Sequence, residues 1–283
     1  MIERIDDLSR PIRLAMPARR IVCLVPSITE TLFTLGAGER IVGITDYCVH
    51  PGSQVRSKAK VGGTKNFFAD RIFALEPDLV VANAEENRRH QIEKLERAGL
   101  QVFVTFPRTI DGCLKMIADM AALTAAESAA RPILTAIEQE RTAALAAALS
   151  PPPRILCPIW KNPCMTINGD TYVDSVIQCC GGHNIFQDSP ERYPQFTLEE
   201  ASRRQPDVVL LPTEPYHFTA ADVPEFRGMG AEIPAVRELR IHIVEGELLS
   251  WYGPRLARAL PEISALIRNS VMSDEYSSLS GGR

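Results

Sequence analysis

Short apolar runs alternate along this chain with longer stretches in which apolar residues recur every three or four positions. "RIVCLVPS" (Arg20 to Ser27) predicts a buried parallel strand ending at a helix start. "SITE" there reads as a capping box of Ser27 with Glu30, and Gly36 and Gly38 stop the helix. "RIVGIT" predicts a second strand, followed by the loop-rich "DYCVHPGSQVRSKAKVGGTKNFF". "DLVVAN" and "QVFVTF" predict strands that flank an amphipathic helix with Ile92, Leu95 and Ala98 on one face. "TIDGCLKMIADMAALT" predicts another helix.

One pattern occurs twice. "ADRIFALEPDLVVAN" begins at Ala69 and "LEEASRRQPDVVLLPT" at Leu198, with Asp70 as far ahead of Pro77 as Glu199 is of Pro206. Each copy is a short helix, a Pro-Asp corner and a buried strand. Between them Ala125 to Ser150 is rich in Ala, Leu and Glu and ends at "PPP", which predicts one long helix of about 22–25 residues, roughly 35 Å, kinked at Pro132. The second half restarts with "RILCPIW", a helix N-capped by Asp170 and stopped by Gly181, the strands "DVVLLP" and "RIHIVEG", and a closing helix from Pro254 to about Arg268. The alternation predicts an α/β fold: two Rossmann-like lobes with central parallel sheets, joined by one long backbone helix, with a ligand cleft between them. The expected divisions are 1–124, a linking helix 125–150, 151–269, and a disordered polar tail 270–283. One continuous helix as the joint predicts small lobe motion.

Composition narrows the class. With 45% hydrophobic and 23% charged residues, the chain reads as an ordinary globular protein. A net charge of -4 gives no reason to expect nucleic acid. No secretory signal and no membrane-length apolar run is visible. Seven cysteines without a Cys-x-x-Cys pair argue against a zinc ribbon and suit a reducing compartment. There is no phosphate loop, dinucleotide fingerprint or nucleophile elbow, so no catalytic triad can be named.

The stretches "RIVCLVPSITETLFTLGAG", "LEPDLVVAN", "CCGGHNIF", "YPQFTLEEASRRQPDVVLL" and "WYGPR", in this order, resemble the substrate-binding proteins of cobalamin, iron–siderophore and haem ABC importers. The resemblance runs from about Arg20 to Ile267. It implies a corrinoid ligand such as cobalamin, with haem or a ferric siderophore as alternatives, an ABC permease as partner, and a monomeric, periplasmic, non-enzymatic protein. Asp70 and Glu199 match the acids that meet permease arginines; an acid in a first helical turn is also favoured by the helix dipole alone. Tyr47 matches a tyrosine of the cobalamin cleft. Tyr193 replaces a tryptophan that packs on the corrin, and Thr64 and Asn83 replace two more. Glu247 matches an acidic contact. "TDYCVHP", "KVGGTKN", "NAEENRR" and "CPIWKNPCMT" resemble a subgroup labelled cobalamin-binding.

Other candidates come from position. Glu85, Glu86, Arg88 and Arg89 follow one strand, and Trp160 and Lys161 another, where α/β folds place ligand contacts or plain surface pairs. Trp160 and Trp251 are the only tryptophans and suit either packing or stacking. Cys48 and His50 are a candidate soft-metal or axial ligand pair, or a buried thiol beside a loop histidine. The leading expectation is an importer's binding protein. The alternatives are a cytosolic corrinoid, haem or ferric-chelate carrier or sensor, and a Cys- or metal-dependent enzyme on the same fold.

Overall fold

The computed structural model describes residues 1–280, with side chains through Met272. Its strands are β1 (Ile2–Ile5), β2 (Pro11–Leu14), β3 (Ile21–Cys23), β4 (Ile41–Ile44), β5 (Ala59–Lys60), β6 (Leu79–Asn83), β7 (Val102–Thr105), β8 (Arg154–Leu156), β9 (His183–Asn184), β10 (Val208–Pro212) and β11 (Ile241–Val244). Its helices are α1 (Pro26–Thr34), α2 (Ala69–Ala74), α3 (Arg89–Arg97), α4 (Ile110–Thr124), α5 (Glu127–Ala146), α6 (Tyr172–Cys179), α7 (Leu198–Arg203), α8 (Val223–Arg227), α9 (Pro234–Arg237), α10 (Glu247–Ser250) and α11 (Leu256–Ser280).

The chain divides into two compact units. Unit 1 holds residues 1–107, 111–135 and 252–254; unit 2 holds 108–110, 136–251 and 255–283. Helix α5 therefore starts in unit 1 and ends in unit 2. It is shorter than Ala125–Ser150 because Ala125 takes a left-handed φ of 51°, which breaks the chain between α4 and α5.

Unit 1 has a five-stranded sheet in the order β5-β4-β3-β6-β7, with every pair parallel. Strand β6 is buried on both faces, which is why it reads as a continuous apolar run. Val22, Leu24, Ile72, Val80, Leu95 and Val102 pack into one core cluster. The antiparallel β1–β2 hairpin is an addition whose sequence signal is the alternation either side of "DDLSR". It is fastened to β7: Asp7 N–H donates to Val104 O, and the Asp6 and Asp7 carboxylates accept from Val104 and Phe106 N–H. Unit 2 has a four-stranded parallel sheet, β11-β10-β8-β9, over a core that includes Leu156, Phe186, Val209, Leu211, Phe218 and Phe226.

The repeated sequence has a repeated structural cause. Each short helix ends at a left-handed residue, Glu76 (φ 43°) or Gln205 (φ 46°), followed by Pro-Asp. In unit 1 Asp78 accepts the N–H groups of Arg19 and Arg20, and the Arg20 guanidinium donates to Leu75 and Glu76 carbonyls. In unit 2 Asp207 accepts the N–H of Arg154, whose guanidinium donates to Arg204 and Gln205 carbonyls. An arginine entering the first central strand thus satisfies the orphan carbonyls of a helix end, while the aspartate holds that arginine's backbone.

Three local expectations are corrected. Pro26 occupies the first position of α1 after the N-cap Val25, so Ser27 lies inside the helix and caps nothing; its buried Oγ has no hydrogen-bond partner. Helix α6 is capped by Thr171, whose hydroxyl accepts from Asp174 N–H, because Asp170 instead pairs with Arg108 and Arg192. Helix α11 continues past Arg268 to Ser280: Ser270, in the expected tail, meets His242 Nε2 at 2.9 Å and donates to Leu266 O. The rest of that tail, 281–283, lies outside the described residues.

Candidate functional site

In each sheet the chain order reverses beside the first central strand: between β3 and β6 in unit 1, and between β8 and β10 in unit 2. The crevice outside the carboxyl ends of such strands is where open α/β sheets place ligand groups.

In unit 1, Asn83 ends β6 fully buried. Its Oδ1 accepts from Glu85 and Glu86 N–H at 2.8 and 3.2 Å, its Nδ2 donates to Thr105 Oγ1, and its own N–H donates to Asn87 Oδ1. Asn83 therefore shapes the loop that presents Glu85; its polar atoms are engaged there. Asn87 Nδ2 in turn donates to the Thr64 carbonyl at 2.9 Å, tying the "GGTK" turn to the β6 loop. Glu85 Oε2 lies 3.5 Å from the Tyr252 hydroxyl, and its carbonyl accepts from Lys65.

Tyr47 follows β4 and is 64% exposed, an unusual placement for a ring. Gly63 lies beneath it: a Cβ there would meet the ring edge at 3.4 Å. Lys60 Nζ donates to the carbonyls of Thr45 and Cys48, fixing the loop that carries the tyrosine. Cys48 is only 1% exposed; its sulfur lies 3.2 Å from both the Thr29 and Thr45 hydroxyls, and burial pushes its thiol pKa up. A thiol held protonated in this way is a poor metal ligand. Among the described residues no cluster of three or more His, Cys, Asp or Glu could hold a metal ion, so the geometry does not extend Cys48 and His50 into a metal site.

In unit 2, Trp160 follows β8, is 43% exposed, and rests edge-on against Tyr216 at 5.8 Å. Tyr216 leans on buried Phe218, which contacts Phe226, so the exposed indole is braced by a line of rings running into the core. Lys161 Nζ lies 2.7 Å from both Asp222 and Glu225, and these two hydrogen bonds push its pKa up. Tyr193, in the loop beyond β9, is 38% exposed with the Arg192 guanidinium 5.7 Å from its ring.

The loops after β10 and β11 meet here. Gly246 N–H donates to Thr213 Oγ1 at 2.9 Å, and a Cβ at Gly246 would lie 2.4 Å from Glu214 N. Glu247 begins α10 and pairs with Arg255 at 2.5 Å; that guanidinium sits 5.0 Å from the Trp251 ring centroid. Glu214 was not apparent from the sequence. Its carboxylate accepts from Ser250 at 2.8 Å, and burial, aided by nearby Glu247, raises its pKa above the usual carboxylate range. The available signal was an acid directly beyond a buried strand, in "LLPTEP".

Asp70 and Glu199 are exposed at the second position of α2 and α7, matched elements of their units. Neither takes part in the arginine–aspartate clamps.

A family model described as "Periplasmic binding protein" matches residues 21–242. The chain belongs to the periplasmic binding protein family. Among relatives of this periplasmic binding protein, the Vitamin B12-binding protein of Vibrio parahaemolyticus is 25% identical over 252 residues, covering 87% of this chain and 88% of the relative. The solved structure of the periplasmic vitamin B12 binding protein BtuF of Vibrio cholerae superposes with a TM-score of 0.78 at 23% identity, over 90% of this chain and 98% of that one. A periplasmic heme-binding protein, BhuT, solved with two hemes, has a TM-score of 0.77 at 26% identity, over 90% and 99%. These likenesses bear out the two-lobed α/β fold with parallel sheets. Among the described residues no helix is long and apolar enough to cross a membrane.

Proposed function

We propose that this chain is the substrate-binding protein of an ABC importer and that it binds a cobalamin-like corrinoid. The observation that carries the reading is the pair of exposed rings, Tyr47 and Trp160, just beyond the carboxyl ends of parallel strands, with exposed Tyr193 in the loop after β9, in a chain that aligns over most of its length with a Vitamin B12-binding protein. A large flat ligand gains most from apolar walls, with a few polar groups to set its orientation. Glu85 in unit 1 and Glu214 and Glu247 in unit 2 are candidates for such groups, with Trp251 as a further ring. Asp70 and Glu199, exposed and free of any part in the clamps, are the permease contacts in this reading. Replacing both with alanine should leave ligand affinity unchanged and abolish uptake of labelled cobalamin in cells carrying the permease. Unchanged uptake would remove the docking role.

A second reading keeps the ligand and places the protein in the cytosol as a corrinoid carrier. All seven cysteines are free thiols, six of them buried, as suits a reducing compartment. Fractionating host cells separates the two: protein found only in the cytoplasm excludes the importer role.

A further inference from the structure

The cations at the strand ends of unit 2 are already committed to carboxylates. Lys161 is held by Asp222 and Glu225, both at 2.7 Å. Arg255 is held by Glu245 at 3.2 Å and Glu247 at 2.5 Å, and Glu245 also takes Arg258 at 2.6 Å. Glu214 adds a further carboxyl within the same pair of loops, fixed by Ser250 and by the close approach of Gly246. Arg258 also pairs with Glu262 at 2.7 Å, so six carboxyl groups accompany three cations. In unit 1, Lys60 and Lys65 are turned onto backbone carbonyls, and exposed Arg88 at the start of α3 follows Glu85 and Glu86.

A ligand carboxylate arriving at unit 2 meets net negative charge and gains a cation only by displacing a short ion pair. A ligand amide donates N–H to those same carboxylates without disturbing them. We infer that the carboxylate clamps on Lys161 and Arg255 make this site selective for ligands whose periphery carries neutral amides and against ligands that carry carboxylates, with Glu214 and Glu247 as the determining residues. The inference rests on the corrinoid-receptor reading and deepens it, because it separates an amide-fringed corrinoid from a haem with two propionates.

The test is calorimetric titration of the full chain with three probes: cyanocobalamin, its monocarboxylic acid with one propionamide hydrolysed, and haemin. Cyanocobalamin is expected to bind at least about tenfold more tightly than either acid-bearing probe, a gap that narrows at high ionic strength as the repulsion is screened. Glu247→Gln, which removes the shorter of the two ion pairs on Arg255 and one negative charge, should narrow the gap severalfold by strengthening the monocarboxylate; Glu214→Gln should act in the same direction. Equal or tighter binding of the monocarboxylate or haemin by the native chain overturns the charge inference while leaving a receptor in place. Failure of all three probes to bind overturns the receptor reading and this inference with it. The native chain alone decides the matter if either variant fails to fold.

Discussion

The arginine–aspartate clamp makes a prediction that can be worked from its geometry. Arg154→Ala removes guanidinium bonds of 2.9 and 2.6 Å to the Arg204 carbonyl and 3.2 Å to that of Gln205. Charge-assisted bonds of this kind contribute about 1.5–3 kcal/mol when sheltered. Arg154 is exposed, so water recovers part of that, leaving a cost of about 1–2 kcal/mol, or roughly 2–8 °C in Tm for a unit of this size. Arg20→Ala removes the matching bonds to Leu75 and Glu76 in unit 1 and should cost the same to within about 0.5 kcal/mol. Scanning calorimetry with urea denaturation measures both, with Asp70→Ala and Glu199→Ala as controls that should cost only the about 0.3–0.5 kcal/mol of an exposed first-turn acid. The repeat would not be a shared structural clamp if Arg154→Ala were neutral, or if only one of the two arginines mattered.

Three other outcomes follow from single contacts. Gly246→Ala places a methyl 2.4 Å from Glu214 N, which is backbone and cannot rotate away, so ligand affinity in titration should fall at least tenfold; native affinity would show that the two loops are not held together. Of the seven cysteines only Cys164 is less than buried, so a thiol reagent on the folded chain should label about one site, rising to seven in denaturant; rapid labelling of Cys48 would contradict its burial. His242 is held below its ordinary pKa by burial and by Arg240, so the unfolded chain binds the extra proton first and stability is lost as pH falls below about 6.5. His242→Gln should flatten the stability profile between about pH 7 and 5, and an unchanged slope would assign that loss to other groups.

Much of the fold was legible because the central strands are buried on both faces and therefore stand out as apolar runs, as in "DLVVAN" and "DVVLLP". The Pro-Asp repeat was legible as a pattern but not as a mechanism, since the partners Arg20 and Arg154 lie more than fifty residues from their aspartates. Helix caps failed by two residues at α1 and by one at α6. Pro26 took the first position of α1 and left Ser27 inside, and Thr171 displaced Asp170. At the candidate site, the family resemblance offered Tyr47 and Glu247 and sequence position offered Trp160 and Lys161, each on a segment that follows a strand. Sequence position did not single out Glu214, whose loop packs against Gly246, more than thirty residues away along the chain. It also could not show that Lys161 is already claimed by Asp222 and Glu225, or that Asn83 is spent on its own loop.

The most direct measurement is the absorption spectrum of the protein purified from host cells grown with a corrinoid. Corrinoid bands that co-elute with the chain at one per molecule are the expected result. A colourless preparation that takes up neither cyanocobalamin, haemin nor a ferric siderophore would contradict it.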